Sequence, residues 1–93
     1  MSNDTLQLSI ERVYTFDGDG PLKAFADVNI NDVVLVKGFR VVDGKNGLFV
    51  GMPRQGSKSG KWFDSVKPLT KSIHAQLSRA VLEAYEAETN HKS

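Results

Sequence analysis

The sequence contains no cysteine. Disulfide staples, thiolate metal ligands and a cysteine nucleophile are therefore excluded. Histidine occurs twice, at His74 and His91, too few and too far apart for a metal site of the usual kind. No window approaches the roughly 18 apolar residues of a membrane span, and Met1-Ser2-Asn3-Asp4 does not begin a secretory signal. The expected location is the cytoplasm, without membrane attachment. Prolines are only three, Pro21, Pro53 and Pro68, and each falls where an apolar pattern stops. Net charge is small as well, +1 over 93 residues. It suggests no partner by itself.

What is present is the composition of one ordinary globular domain spanning residues 1–93, 40% hydrophobic and 25% charged. A chain of this size buries only about 60–65% of its unfolded surface, so association with a second copy would help it. Leu6, Leu8 and Ile10 alternate with polar residues as a half-buried strand requires. "TFDGDGPL" is a turn signal, and Leu22, Ala24, Ala26, Val28 and Ile30 form a second alternating run. Asn31-Asp32 turns the chain into the β-branched "VVLVKGFRVV", where Gly38 marks a bulge or bend. "DGKNG" turns it again into "LFVGM", and "KWFDSV" reads as a short fifth strand. After Pro68, the residues Leu69, Ile73, Leu77, Ala80, Val81, Ala84 and Tyr85 recur at helical spacing. Thr70 and Ser72 are both candidate N-caps, and the closing "ETNHKS" is expected to fray. The fold class is α+β: an antiparallel four- to five-stranded β-meander over 5–68, with a basic loop at 53–61, and one amphipathic helix over 70–88.

Candidate sites divide sharply. Gly51 and Gly56 have the separation of a phosphate-binding P-loop, but Ser57 stands where lysine is needed and no helix follows at once. The Asp17-Gly-Asp19 pair lacks the further ligands of a calcium loop, with Pro21 and Val28 at its fifth and twelfth positions. No serine can be matched to a histidine and a carboxylate. Catalytic residues, a metal, a cofactor and a small-molecule substrate are accordingly not expected, and the chain is not read as an enzyme. The charge distribution is more informative. Residues 54–71 carry five basic side chains against one acidic one, net +4, while the rest of the chain is −3. Such a segment, with Trp62 and Phe63 beside it, suits a phosphate backbone and unstacked bases. The same pattern also suits a solvated hairpin tip whose aromatics alternate between core and solvent, and charge alone does not choose.

From residue 42 onward, Val42-Asp43-Gly44, Gly47-Leu48-Phe49-Val50, Met52-Pro53, Gly60, Asp64 and Pro68 occur in order, followed by "AVLEAYE" from Ala80. In these residues the sequence resembles the stage V sporulation protein G (SpoVG) family. The Arg12-Val13 strand and "KAFADVNI" agree more loosely. The resemblance implies a small bacterial cytoplasmic regulator of gene expression, a homodimer paired through its sheet, that binds DNA and in some members RNA. Carried over by position, the nucleic-acid contacts are Arg54 first, then Gln55, Lys58 and Lys61, with Lys67 and Lys71 behind them. Gln55 is the base-edge candidate of the set. Family members often have adjacent basic residues soon after Met-Pro, whereas here the charge is spread to Lys58 and Lys61. The family name reflects sporulation, and members have been linked to septation. A regulator of cell division acting through a protein partner is therefore the competing reading.

Overall fold

The computed structural model describes residues 6–16 and 18–90. Asp17, His91 and the first residues, on which some of these expectations rest, lie outside that range. Four antiparallel strands, β1 (Leu8–Thr15), β2 (Leu22–Ile30), β3 (Val34–Gly44) and β4 (Gly47–Gly51), form a sheet in chain order. Two three-residue strands, β5 (Arg54–Gly56) and β6 (Trp62–Asp64), make a separate hairpin, and α1 (Lys71–Asn90) closes the chain. The expected fifth strand thus exists, but it pairs with β5 instead of extending the main sheet.

Side-chain parity explains the register. On β2, Ala24, Ala26 and Val28 alternate and are wholly buried; the strand's own irregularity lies before them, where Leu22 pairs with Val42 and Ala24 with Val41, leaving Lys23 as the extra residue. The neighbouring strands each skip one residue beside β2. On β1, Ile10 pairs with Val28 and Arg12 with Asp27, leaving Glu11 as the extra residue. On β3, Asp27 faces Lys37 and Ala26 faces Phe39, leaving Gly38. The bulges at Glu11 and Gly38 keep the apolar set Ile10, Val13, Val36, Phe39 and Val41 against one core although its spacing changes parity. Gly38 has φ +100°, a conformation that favours glycine. Between β2 and β3, Asn31 and Asp32 are the central residues of a turn closed by the Val33 N–H to the Ile30 carbonyl, and both have positive φ, 55° and 58°, as a primed turn requires.

The helix covers one face of the sheet through Leu77 and Val81, which are buried, with Ile73, Leu82 and Tyr85 packed around them. Burying Leu77 and Val81 contributes about 1.5–3 kcal/mol each. Thr70 is the cap: its Oγ1 accepts the Ile73 N–H at 3.1 Å. The helix consequently starts at Lys71, and Leu69, expected to open its apolar face, precedes it and is 94% exposed. At the other end the helix continues through Asn90, so residues 88–90 extend it where fraying was expected. Among the described residues no helix is long and apolar enough to cross a membrane.

Candidate nucleic-acid interface

The chain leaves the main sheet at Met52-Pro53. Both residues are buried, and Pro53 has no N–H with which to continue the ladder. The Pro53 carbonyl accepts the Ser65 N–H at 2.8 Å, which ties together the two ends of the β5–β6 hairpin. Arg54 pairs with Asp64, Gln55 with Phe63 and Gly56 with Trp62. The segment expected as a basic loop over 53–61 therefore contains the strand β5 and a turn, and β6 returns directly after it. The turn proper is short. Ser57 N–H donates to the Lys61 carbonyl at 2.9 Å, and Gly60, with φ +85°, donates to the Ser57 carbonyl at 3.1 Å.

This hairpin orders four of the six candidate residues. Arg54 and Gln55 lie on β5, Lys58 in the turn and Lys61 at its exit, all exposed. Lys67 lies elsewhere, beside a depression lined by Leu6, Ile30 and Leu77. Lys71 is the first residue of α1, whose first turn contains no acidic side chain. It adds to the positive end of the helix dipole instead of offsetting it. Among the described residues the one ion pair is Arg54 Nε to Asp64 Oδ1 at 3.8 Å, with both side chains about half exposed. A pair so long and so wet contributes little to stability.

The aromatic pair is resolved differently from either simple expectation. Trp62 and Phe63 alternate in direction, yet both are exposed, at 66% and 55%. The Trp62 indole lies over Gly56, where an added Cβ would touch the ring at 3.5 Å.

Arg40 completes the site, and charge counting along the chain does not find it. It alternates with buried Phe39 and Val41 and so points to the sheet face opposite the helix. There it sits between Phe25 on β2 and Gly51 on β4, its cross-strand neighbours. A Cβ at Gly51 would overlap the guanidinium, with Cζ only 2.6 Å away, so glycine supplies its bed. Arg40 Nη2 donates to the Met52 carbonyl at 3.3 Å, and its buried Nε has no partner. Burial lowers the Arg40 pKa, the positive charge of Arg54 lowers it further, and Asp64 opposes the shift. The group remains a cation at any physiological pH. Phe25, Gly38, Arg40, Arg54 and Trp62 line a concavity of about 380 Å³ between sheet and hairpin. The signal in sequence was an arginine at a strand position whose neighbours on both sides are apolar.

The chain is thus a small α+β domain that carries a basic hairpin with exposed aromatics. Comparison with known proteins agrees with the resemblance in the sequence. The SpoVG family model matches residues 7–87. A protein of Archaeoglobus fulgidus is 36% identical over 77 residues, covering 83% of this chain and 91% of that one. A protein of Desulforudis audaxviator is 40% identical over 67 residues, 72% of this chain and 76% of its own. One from Listeria monocytogenes is 32% identical over 81 residues, 87% and 79%. All three carry the provisional name septation protein SpoVG. The chain belongs to the SpoVG family.

Proposed function

We propose that this protein is a homodimeric cytoplasmic regulator that binds nucleic acid, DNA and in some settings RNA, by laying its β5–β6 hairpin along phosphates. The observation that carries the reading is the hairpin itself. Arg54, Lys58 and Lys61 are exposed on a short ordered element, with Asp64 as the single acidic residue in 54–71. Ordering these cations in advance lowers the entropy lost on binding. Dimerisation is supported by the small core and by Val33, Val34 and Leu35, which are at least half exposed at the β2–β3 end. Two hairpins on one dimer would engage a longer stretch of backbone.

If four cations per protomer engage duplex DNA, the logarithm of affinity falls with the logarithm of salt at a slope of about −3.6. That is roughly a 150-fold loss between 50 and 200 mM salt. The test is a titration of labelled duplex DNA and single-stranded RNA across that range, with Arg54→Ala/Lys58→Ala/Lys61→Ala beside the wild type and both shown folded and dimeric. Removing three contacts should flatten the duplex slope by about 2.7. Equal slopes, or no binding at low salt, would overturn the reading.

The names of the relatives favour a second reading, regulation of septation through a protein partner. Exposed apolar side chains such as Leu69 and Val33 suit a protein interface. In that case loop charges would be dispensable and substitution of the apolar residues would abolish function.

A further inference from the structure

The basic hairpin accounts for phosphate contacts but not for Arg40, Phe25 or the position of Trp62. A solvated tip has no need of a half-buried guanidinium, its Nε out of contact with water, beside another arginine. Arg40 and Arg54 share one concavity, close enough for the Arg54 charge to disfavour that of Arg40, and the Arg40 Nε is unsatisfied. Two unlike walls complete it. Trp62 stands on the hairpin side and Phe25 on the sheet side, and Phe25 is held edge-on by Phe16 at a centroid distance of 5.4 Å. At about 380 Å³ the space lies at the small end of the range for ligand sites. Cations beside flat apolar walls match an anion joined to an aromatic ring.

We propose that this concavity takes one unstacked nucleotide of a single strand, its base against Trp62 and Phe25 and its phosphate at Arg40 and Arg54. The proposal rests on the nucleic-acid reading above and adds to it a preference for single strands. A paired base cannot enter, because its faces are occupied by its neighbours in the stack and it would first have to leave them. A strand is favoured over a free nucleotide because Lys58 and Lys61 continue the positive surface along the same hairpin, where neighbouring phosphates would lie. Gly51 and Gly38 have a role in this geometry. The first leaves room for the Arg40 head, and the second lines the floor.

Trp62 is the single tryptophan of the chain, so its emission reports this site alone. The experiment titrates the full-length protein at 50 mM salt with dodecathymidylate, with a self-complementary duplex hairpin of equal charge, and with thymidine monophosphate. It reads Trp62 quenching for the wild type and the anisotropy of the same labelled oligonucleotides for Arg40→Gln, Arg40→Lys and Trp62→Leu. Folding of each variant is checked by circular dichroism. The single strand should quench Trp62, and Trp62→Leu should weaken its binding about tenfold, within the range for loss of one stacking platform. Arg40→Gln should weaken it several-fold more than it weakens duplex binding, with Arg40→Lys between Gln and wild type. Single-strand binding without quenching overturns the proposal, as does an equal loss for single strand and duplex in Arg40→Gln. Monophosphate binding as tight as the oligonucleotide also overturns it, in favour of a free-nucleotide pocket. Duplex binding that depends on the hairpin lysines, with none of the Trp62 effects, would sink this inference while leaving the broader function standing. Absence of all binding would remove both.

Discussion

Replacing Gly38 by alanine tests the link between the bulge in β3 and the rest of the fold. Gly38 has φ +100°, and an added Cβ would meet the Pro53 Cβ at 3.6 Å, an ordinary contact. Crowding is therefore not the issue; the cost is the backbone conformation. Holding a residue with a side chain in such a region costs about 1–3 kcal/mol. Glycine-to-alanine substitution returns about 0.4–1 kcal/mol by restricting the unfolded chain. The net expectation is a loss of about 1 kcal/mol, or a midpoint lowered by roughly 4–8 °C for a domain of this size. Gly20→Ala is the matched control, because Gly20 has no such φ and nothing within 4 Å of its would-be Cβ. It should be neutral or slightly stabilising. Unfolding is best followed by far-ultraviolet circular dichroism at one fixed protein concentration, since Trp62 is 66% exposed and association shifts apparent stability. If Gly38→Ala and Gly20→Ala are equally stable, the bulge does not depend on glycine and the register argument for Phe39 and Val41 fails.

Two electrostatic predictions bear on the hairpin and the helix start. Asp64→Asn removes the one acidic group on the hairpin; stability should change by under about 1 kcal/mol, given the exposure of the pair. Duplex affinity at 50 mM salt should rise about threefold, the effect of one charge some 6 Å from a phosphate in water, and an unchanged or weaker anisotropy titration would speak against phosphates at this element. Lys71→Glu places an acid in a first turn that has none, so thermal melts should show about 0.3–1 kcal/mol of added stability. The same variant should bind duplex DNA more weakly, and unchanged affinity would remove Lys71 from the contact set.

The strands were legible because alternation survives wherever one face is buried: Ala24, Ala26 and Val28 could not be shifted by one without exposing the core. The bulge at Gly38 was signalled by its glycine, whereas the one at Glu11 was not, because glutamate carries no turn chemistry. It shows only in the three-residue step from Ile10 to Val13. The spacing of Leu69 to Ile73 is helical, yet the cap at Thr70 leaves Leu69 outside the helix, and sequence chemistry does not separate Thr70 from Ser72 as the cap. The directions of Trp62 and Phe63 were out of reach, since three-residue strands have too little period to read. Arg40 was missed for a different reason. Arg40 is far from the basic segment along the chain, and only antiparallel pairing of β3 with β4 brings it opposite Gly51 and beside the exit to the hairpin.

That pairing also clarifies what the Met-Pro pair does. Met52 is 7% exposed and belongs to the core, and Pro53 is buried beside the Gly38 bulge. Neither side chain is placed to touch a ligand. Their carbonyls are used instead: that of Met52 receives the Arg40 guanidinium, and that of Pro53 receives the Ser65 N–H. The core anchor fixes where the chain leaves the sheet, and proline prevents the ladder from continuing past that point. The hairpin is then clasped at its base with its cations facing outward. Its position thus depends on packing inside the sheet. A substitution at Met52 that unpacks the core would move Arg54 relative to Arg40 without altering any charge. Two core residues therefore set the geometry of the exposed cations proposed to bind.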